Sequence, residues 1–220
     1  LSSSMEAEFR PIAQRLKIPV MSLEVRRLGR EIEGAVHQGV AAEVSMEGLM
    51  RDYAQFMNAI KEPTPDMCLV LLNEVTDPHN VGAIIRSAAA FGAMAVLLPT
   101  HNQAPITGAT EKASAGTVFT VPLVGINNEN QTIIDLKKRG FWSYGLAGEG
   151  DKIASREKFD APAVFVVGSE GEGLREKTRE HCDFLLRIPM HENVESLNAS
   201  VSAAVVLSNW SDQHPGALKS

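Results

Sequence analysis

Residues 68–86 read Cys68-Leu69-Val70-Leu71-Leu72-Asn73-Glu74-Val75-Thr76-Asp77-Pro78-His79-Asn80-Val81-Gly82-Ala83-Ile84-Ile85-Arg86. The unbroken apolar run Cys68–Leu72 predicts a strand buried on both faces. A polar loop follows, and Asn80, a good N-cap, opens a predicted helix over Asn80–Phe91. The loop between them falls at the carboxyl end of the sheet, where α/β proteins keep their sites. The alternation continues downstream. Strands are predicted at Ala95–Leu98, Thr120–Val124, Trp142–Leu146, Ala163–Val167 and Phe184–Ile188. Helices are predicted at Gly108–Ala115, Asn128–Arg139, Leu174–His181 and Leu197–Trp210. Near-continuous apolar strands between helices define an α/β fold with a mostly parallel sheet and helices on both faces.

Upstream the pattern weakens. Glu6–Lys17 has helical apolar spacing, Ile18–Met21 and Val40–Val44 are short strand candidates, and Ser22 is placed to cap a helix over Leu23–Arg30. These elements make too small a core for independent folding. Residues 1–44 are therefore expected to be part of a small α/β domain that begins outside this chain. Residues 45–66 read as a linker, a helix over about Leu49–Ile60 followed by Lys61-Glu62-Pro63-Thr64-Pro65-Asp66. Residues 67–220 form the main domain.

Composition narrows the class. With 44% hydrophobic and 22% charged residues, the 220-residue chain is an ordinary globular protein, neither fibrous nor wholly disordered. Its longest apolar runs fall far short of the roughly 18 residues that a membrane span needs, so no membrane association is expected. The start, Leu1-Ser2-Ser3-Ser4-Met5, lacks a basic region followed by an apolar stretch. The two cysteines, Cys68 and Cys182, form no disulfide framework. A cytoplasmic location is expected. The net charge of −6 argues against bulk coating of nucleic acid, yet Arg10, Arg15, Lys17, Arg26, Arg27 and Arg30 face the single acid Glu24 over residues 10–30. That stretch is either a solvated helix face or a local basic surface.

Three segments depart from scaffold chemistry. In the first, Arg86 has only small helical neighbours: Gly82, Ala83, Ala89 and Ala90. They leave room for a ligand or another backbone beside the guanidinium, although an alanine-rich packing helix with a surface arginine reads the same way. In the second, Gly168-Ser169-Glu170-Gly171-Glu172-Gly173-Leu174 runs out of a strand. It is neither G-x-G-x-x-G, nor a P-loop, nor a nucleophile elbow. Glu170 and Glu172 would repel a polyphosphate, so a cationic or neutral ligand fits better than a nucleoside triphosphate, and a plain glycine-rich turn stays open. The third is Ile188-Pro189-Met190 with Ser196-Leu197-Asn198-Ala199-Ser200. Ser196 is the expected N-cap; Asn198 and Ser200 are poor helix formers in a first turn. Loose N–H groups beside polar side chains make either a ligand cradle or simple capping. The histidines have no mutual metal-ligand spacing, no Ser/His/Asp or Cys/His set is present, and no metal is expected.

In this order, the three segments resemble the three motifs of the SPOUT superfamily, and more narrowly the TrmH/SpoU family of RNA ribose 2′-O-methyltransferases, over roughly residues 66–212. The nearest similarity is to the branch that methylates a guanosine ribose in 23S rRNA. Glu33-Gly34-Ala35-Val36-His37-Gln38-Gly39-Val40 looks like the end of the RNA-binding domain of that branch, and the basic stretch at residues 10–30 fits there. The resemblance implies a C-terminal trefoil knot, a homodimer with the site at or near its interface, S-adenosyl-L-methionine as cofactor and RNA as partner. It places the cofactor against Gly168, Ile188 and Leu197, with Leu146 and Met190 nearby. It assigns catalysis to Arg86, oriented with ribose and cofactor by Asn80, Glu170, Ser196 and Asn198. Arginine is a weak base at its ordinary pKa, so Arg86 acts either as a perturbed base or by positioning phosphate and hydroxyl. A transfer-RNA ribose methylase shares these motifs. A non-catalytic RNA-binding or ribosome-assembly protein, and an oxidoreductase with a degenerate nucleotide loop, are the alternatives from other classes.

Overall fold

A computed structural model describes residues 3–22, 40–45 and 48–219. The chain divides into two compact units, Leu1–Ser45 and Met46–Ser220. The first holds helix α1 (Ser3–Arg15), with Pro11 inside it. The strands expected at Ile18–Met21 and Val40–Val44 are absent from the described residues there. A strand needs a ladder partner, and every described strand belongs to the second unit. The helix expected over Leu23–Arg30 and the segment Glu33–Gly39 lie outside the described residues.

Among the described residues of the second unit, eight strands form one sheet in the order β1-β4-β3-β2-β7-β5-β8-β6. They are β1 (Met50–Asp52), β2 (Cys68–Asn73), β3 (Ala95–Pro99), β4 (Leu123–Ile126), β5 (Trp142–Leu146), β6 (Lys152–Ile153), β7 (Ala163–Gly168) and β8 (Phe184–Arg187). Every pairing is parallel. The helices are α2 (Tyr53–Asn58), α3 (Pro78–Ala90), α4 (Gly108–Ser114), α5 (Glu129–Lys138), α6 (Glu176–His181) and α7 (Ala199–Gln213).

The apolar run of β2 divides its side chains between two cores. Cys68, Val70 and Leu72 pack with Ile84, Ile85 and Ala88 of α3 and with Ala203, Leu207 and Trp210 of α7. Leu69 and Leu71 pack on the other face with Met57 of α2 and with Ile133 and Leu136 of α5. Both faces are covered, which is why no polar alternation marks these strands. Each fully buried Leu or Ile contributes about 1.5–3 kcal/mol, so burial fixes the sheet order ahead of any single polar contact. Gly82 lets α3 and α4 approach closely, since a Cβ there would lie 2.5 Å from the Thr110 carbonyl oxygen.

The stretch read as a linker takes part in this unit. Instead of one helix over Leu49–Ile60, Met50–Asp52 pair with Leu123–Gly125, and Asp52 caps α2 by accepting from Gln55 N at 2.9 Å. Asp66 Oδ1 lies 3.0 Å from His214 Nδ1, just beyond α7. The strand expected at Thr120–Val124 begins later, because a turn over Thr117–Phe119 holds Val121 N on Thr117 O. The two-residue β6 is too short to show any periodicity.

Asp183 ties β5 to the start of β8. Its Oδ2 accepts from Ser143 N at 2.9 Å and Ser143 Oγ at 2.7 Å, and its Oδ1 lies 2.7 Å from Lys137 Nζ. Burial opposes its ionised form, but the bonds from Lys137 and Ser143 outweigh burial and hold the carboxyl below its ordinary value. A lowered carboxyl pKa gives stability that is complete above the ordinary carboxylate range and fades as pH falls through it. Asp183→Ala is expected to cost about 2 kcal/mol at pH 7, the scale of hydrogen bonds to a charged group. Thermal unfolding should show the gap to the wild type narrowing below about pH 4. A gap that does not change with pH would mean that the carboxylate charge contributes nothing.

Candidate active site

The carboxyl ends of three neighbouring strands, β7, β5 and β8, converge on one cleft of about 260 Å³. Its apolar lining includes Leu146, Val167, Leu174, Leu186, Ile188 and Leu197. Its acids are Glu149, Glu170, Glu172 and Glu195. Among the described residues, the one base in the lining, Arg179, forms an ion pair with Glu149. Such a surface suits a ligand with an apolar body and positive charge, and opposes polyphosphate.

The glycine segment builds one side of this cleft. The backbone folds back on itself, with Ser169 N donating to Gly173 O at 3.0 Å and Gly173 N donating to Ser169 O at 3.1 Å. Gly171 and Gly173 take left-handed φ values of 91° and 68°. Gly168 is required by contact: a Cβ there would lie 2.2 Å from the carbonyl carbon of Gly173. The space a side chain would occupy at Gly168 is filled by the returning backbone.

A cluster of polar side chains joins the three motifs. Asn198 Nδ2 donates to Asn80 Oδ1 at 3.0 Å and also to Glu170 Oε1. Asn80 comes from α3, Glu170 from the glycine segment and Asn198 from the start of α7. Asn80 is 5% exposed, and its Nδ2 has no hydrogen-bond partner among the described residues. This differs from the expected capping. The N-cap of α3 is Asp77, which accepts from His79 N at 2.9 Å, with Pro78 in the first turn. The N-cap of α7 is Asn198, not Ser196. Asn80 and Ser196 are thereby freed from helix-end duty.

Leu146, Gly168, Ile188, Met190 and Leu197 all line the cleft, together with Glu170 and Ser196. Asn80 and Asn198 reach it through Glu170. Arg86 does not line it; it stands exposed on α3. Sequence reasoning missed Glu149 and Arg179, although Glu149 sits in the loop after β5, at the carboxyl end where sites gather. It also missed a brace behind the site. Asn73 Oδ1 accepts from Arg175 N at 3.1 Å, and Glu74, at a left-handed φ of 59°, pairs with Arg175 at 2.5 Å. Neither cysteine is poised as a nucleophile: burial raises the thiol pKa of Cys68 and pushes that of Cys182 up to about 12. Among the described residues, no three His, Cys, Asp or Glu side chains converge as a metal site would need, and no helix is long and apolar enough to cross a membrane.

The parallel α/β fold is shared with solved methyltransferases of RNA. The chain belongs to the SpoU rRNA methylase family, whose model matches residues 67–208. It is 40% identical over 196 residues to the 23S rRNA (guanosine-2′-O-)-methyltransferase RlmB of Pseudomonas putida, covering 89% of this chain and 78% of that protein. The RlmB of Haemophilus influenzae is 39% identical over 193 residues, or 87% of this chain and 78% of that protein. Among solved structures, the SpoU methyltransferase AviRb of Streptomyces viridochromogenes, in complex with AdoMet, superposes with a TM-score of 0.65 at 27% identity. That match covers 72% of this chain and spans 62% of the AviRb chain, less than two thirds of its length.

Proposed function

We propose that this protein transfers a methyl group from S-adenosyl-L-methionine to the 2′-hydroxyl of a guanosine ribose in 23S rRNA. The observation that carries this reading is the convergence of Asn80, Glu170 and Asn198, from three distant segments, beside the cleft at the β5, β7 and β8 ends. Close relatives named for that reaction support the substrate.

The cleft fits the cofactor. Its glycine backbone and apolar lining suit an adenosine, and its acids beyond the Glu149–Arg179 pair, Glu170, Glu172 and Glu195, suit a cation. Leu146, Gly168, Ile188, Met190 and Leu197 would hold it. When bound, S-adenosyl-L-methionine supplies an electrophilic methyl group on a positively charged sulfur. A 2′-hydroxyl is a weak nucleophile, so the protein must fix its approach and assist loss of its proton. Asn198 sets the orientation of Glu170 and Asn80, and Ser196 adds a hydroxyl to the same cleft. Arg86 supplies a fixed positive charge for the phosphate and for the developing alkoxide, whose proton passes to solvent as the oxygen takes the methyl group and the sulfur leaves as a neutral thioether. Positioning is the role that needs no change in its ionisation. Holding reacting atoms about 3–3.5 Å apart could supply several kcal/mol of the barrier reduction.

The finer parts of the reading belong together: a C-terminal trefoil knot, a homodimer with the site near its interface, residues 1–44 as part of an RNA-binding domain ahead of the catalytic unit, and a cytoplasmic location. The exposure of Arg86 outside the cleft lining favours completion of the site by RNA or a second copy. Arg10, Arg15 and Lys17 favour an RNA-facing front unit.

The reading is tested by incubating the protein with methyl-labelled cofactor and separate pools of 23S rRNA and transfer RNA, then mapping the modified nucleotide. Label is expected on a guanosine 2′-oxygen of 23S rRNA. Label confined to transfer RNA, or placed on a base, would overturn the assignment. Asn198→Asp separates capping from chemistry, because Asp caps as well as Asn but cannot donate to Asn80 and sets a second carboxylate against Glu170. It should keep Tm within a few degrees and lose at least about tenfold in turnover. Unaltered turnover would leave Asn198 with a capping role only.

A further inference from the structure

The orientation of the Asn198 amide is set from an unexpected side. Its Oδ1 accepts Ser200 Oγ at 2.6 Å, Ser200 N at 2.9 Å and Val201 N at 3.4 Å. With the oxygen held there, Nδ2 must face Asn80 Oδ1 and Glu170 Oε1. The flipped amide would set oxygen against a carboxylate and an amide oxygen, and nitrogen against three donors. Asn80 is fixed in turn, its Oδ1 accepting from Asn198, while Glu170, held by the same amide, lines the cleft and is exposed.

Serine in a helix usually bonds the carbonyl of the preceding turn. Ser200 instead turns its hydroxyl onto Asn198 and supplies the shortest of the three bonds to that oxygen. The two backbone donors cap the helix whatever residue stands at 200, whereas the hydroxyl is specific to this side chain. We infer that Ser200 is a positioning residue: it locks the Asn198 amide, and through it holds the Glu170 carboxylate in place at the methyl-transfer cleft. This inference rests on the methyl-transfer reading above.

The test compares wild type, Ser200→Ala and Ser200→Thr in the full chain by steady-state methyl transfer to 23S rRNA, thermal unfolding and side-chain amide NMR. Ser200→Ala is expected to lower kcat roughly five- to tenfold, the scale of one lost hydrogen bond. The KM for S-adenosyl-L-methionine and Tm should stay near wild type, because both backbone caps persist. Ser200→Thr keeps the hydroxyl and should recover most of the turnover. The side-chain amide protons of Asn198 and Asn80 should exchange slowly in wild type and in Ser200→Thr, and faster in Ser200→Ala. A kcat within twofold of wild type for Ser200→Ala, or amide signals that it does not move, overturns the inference. So does a loss of turnover matched by a fall in Tm that Ser200→Thr fails to repair. If wild type itself transfers no methyl group, the functional reading falls, while the amide signals still decide whether Ser200 locks Asn198.

Discussion

Replacing Arg86 with alanine should leave a folded protein with wild-type cofactor affinity that transfers methyl groups about 10²–10³-fold more slowly, the scale of removing one group that stabilises charge developing in the transition state. Two observations separate the effects. Arg86 is exposed on α3, so its removal opens no cavity, and it does not line the cleft, so cofactor contacts persist. Its helical neighbours Gly82, Ala83, Ala89 and Ala90 contribute no other charge to that face. Arg86→Lys distinguishes the possible roles. A lysine keeps the positive charge but not the planar fork that grips phosphate at two points, so partial recovery marks electrostatic stabilisation and none marks bidentate positioning. Single-turnover transfer assays beside calorimetry with the cofactor make the measurement. Near-normal turnover of Arg86→Ala would remove Arg86 from the mechanism.

The second large effect is at Gly168. In Gly168→Val the new Cβ would meet the Gly173 carbonyl carbon at 2.2 Å and the Leu174 nitrogen at 2.5 Å, and both are backbone atoms that cannot swing away. The Ser169–Gly173 fold must open, at a cost of about 3 kcal/mol or more. Calorimetry should then show S-adenosyl-L-methionine binding weakened by at least roughly 100-fold, since 2.7 kcal/mol is about two decades of affinity. Gly171→Ala is the comparison. Gly171 has no atom within 4 Å of its would-be Cβ, and only its left-handed φ of 91° resists substitution. Its cost should stay near 1–2 kcal/mol. Equal affinities for Gly168→Val and wild type would mean that this backbone fold is not the cofactor's cradle.

Much of this architecture was legible because burial on both faces leaves a mark in sequence. The runs Cys68–Leu72 and Ala163–Val167 lack polar alternation, and both lie in the middle of the sheet. The edges were not legible. Met50–Asp52 are exposed and read as part of a helix until their pairing with β4 is seen. Capping misled in a consistent way: Asn80 and Ser196 are good caps by type, but Pro78 sets the start of α3 one turn earlier and Asn198 takes the start of α7. No spacing rule brings Asn80 and Asn198 together across 118 residues. Their pairing depends on α3 and α7 packing on one face of the sheet, and it was the family resemblance, not periodicity, that grouped them. Glu74 gave no signal, because a left-handed backbone at a glutamate is imposed by its contacts with Arg175 and Asn102.

The ends of β5, β7 and β8 are expected to enclose the methyl donor. A crystal structure of the full chain grown with S-adenosyl-L-methionine tests it most directly. The cofactor is expected between Leu146, Gly168, Ile188 and Leu197, with Glu170 and Asn198 alongside. Cofactor bound elsewhere with that cleft left open, or a protein that takes up none at millimolar concentration, would contradict it.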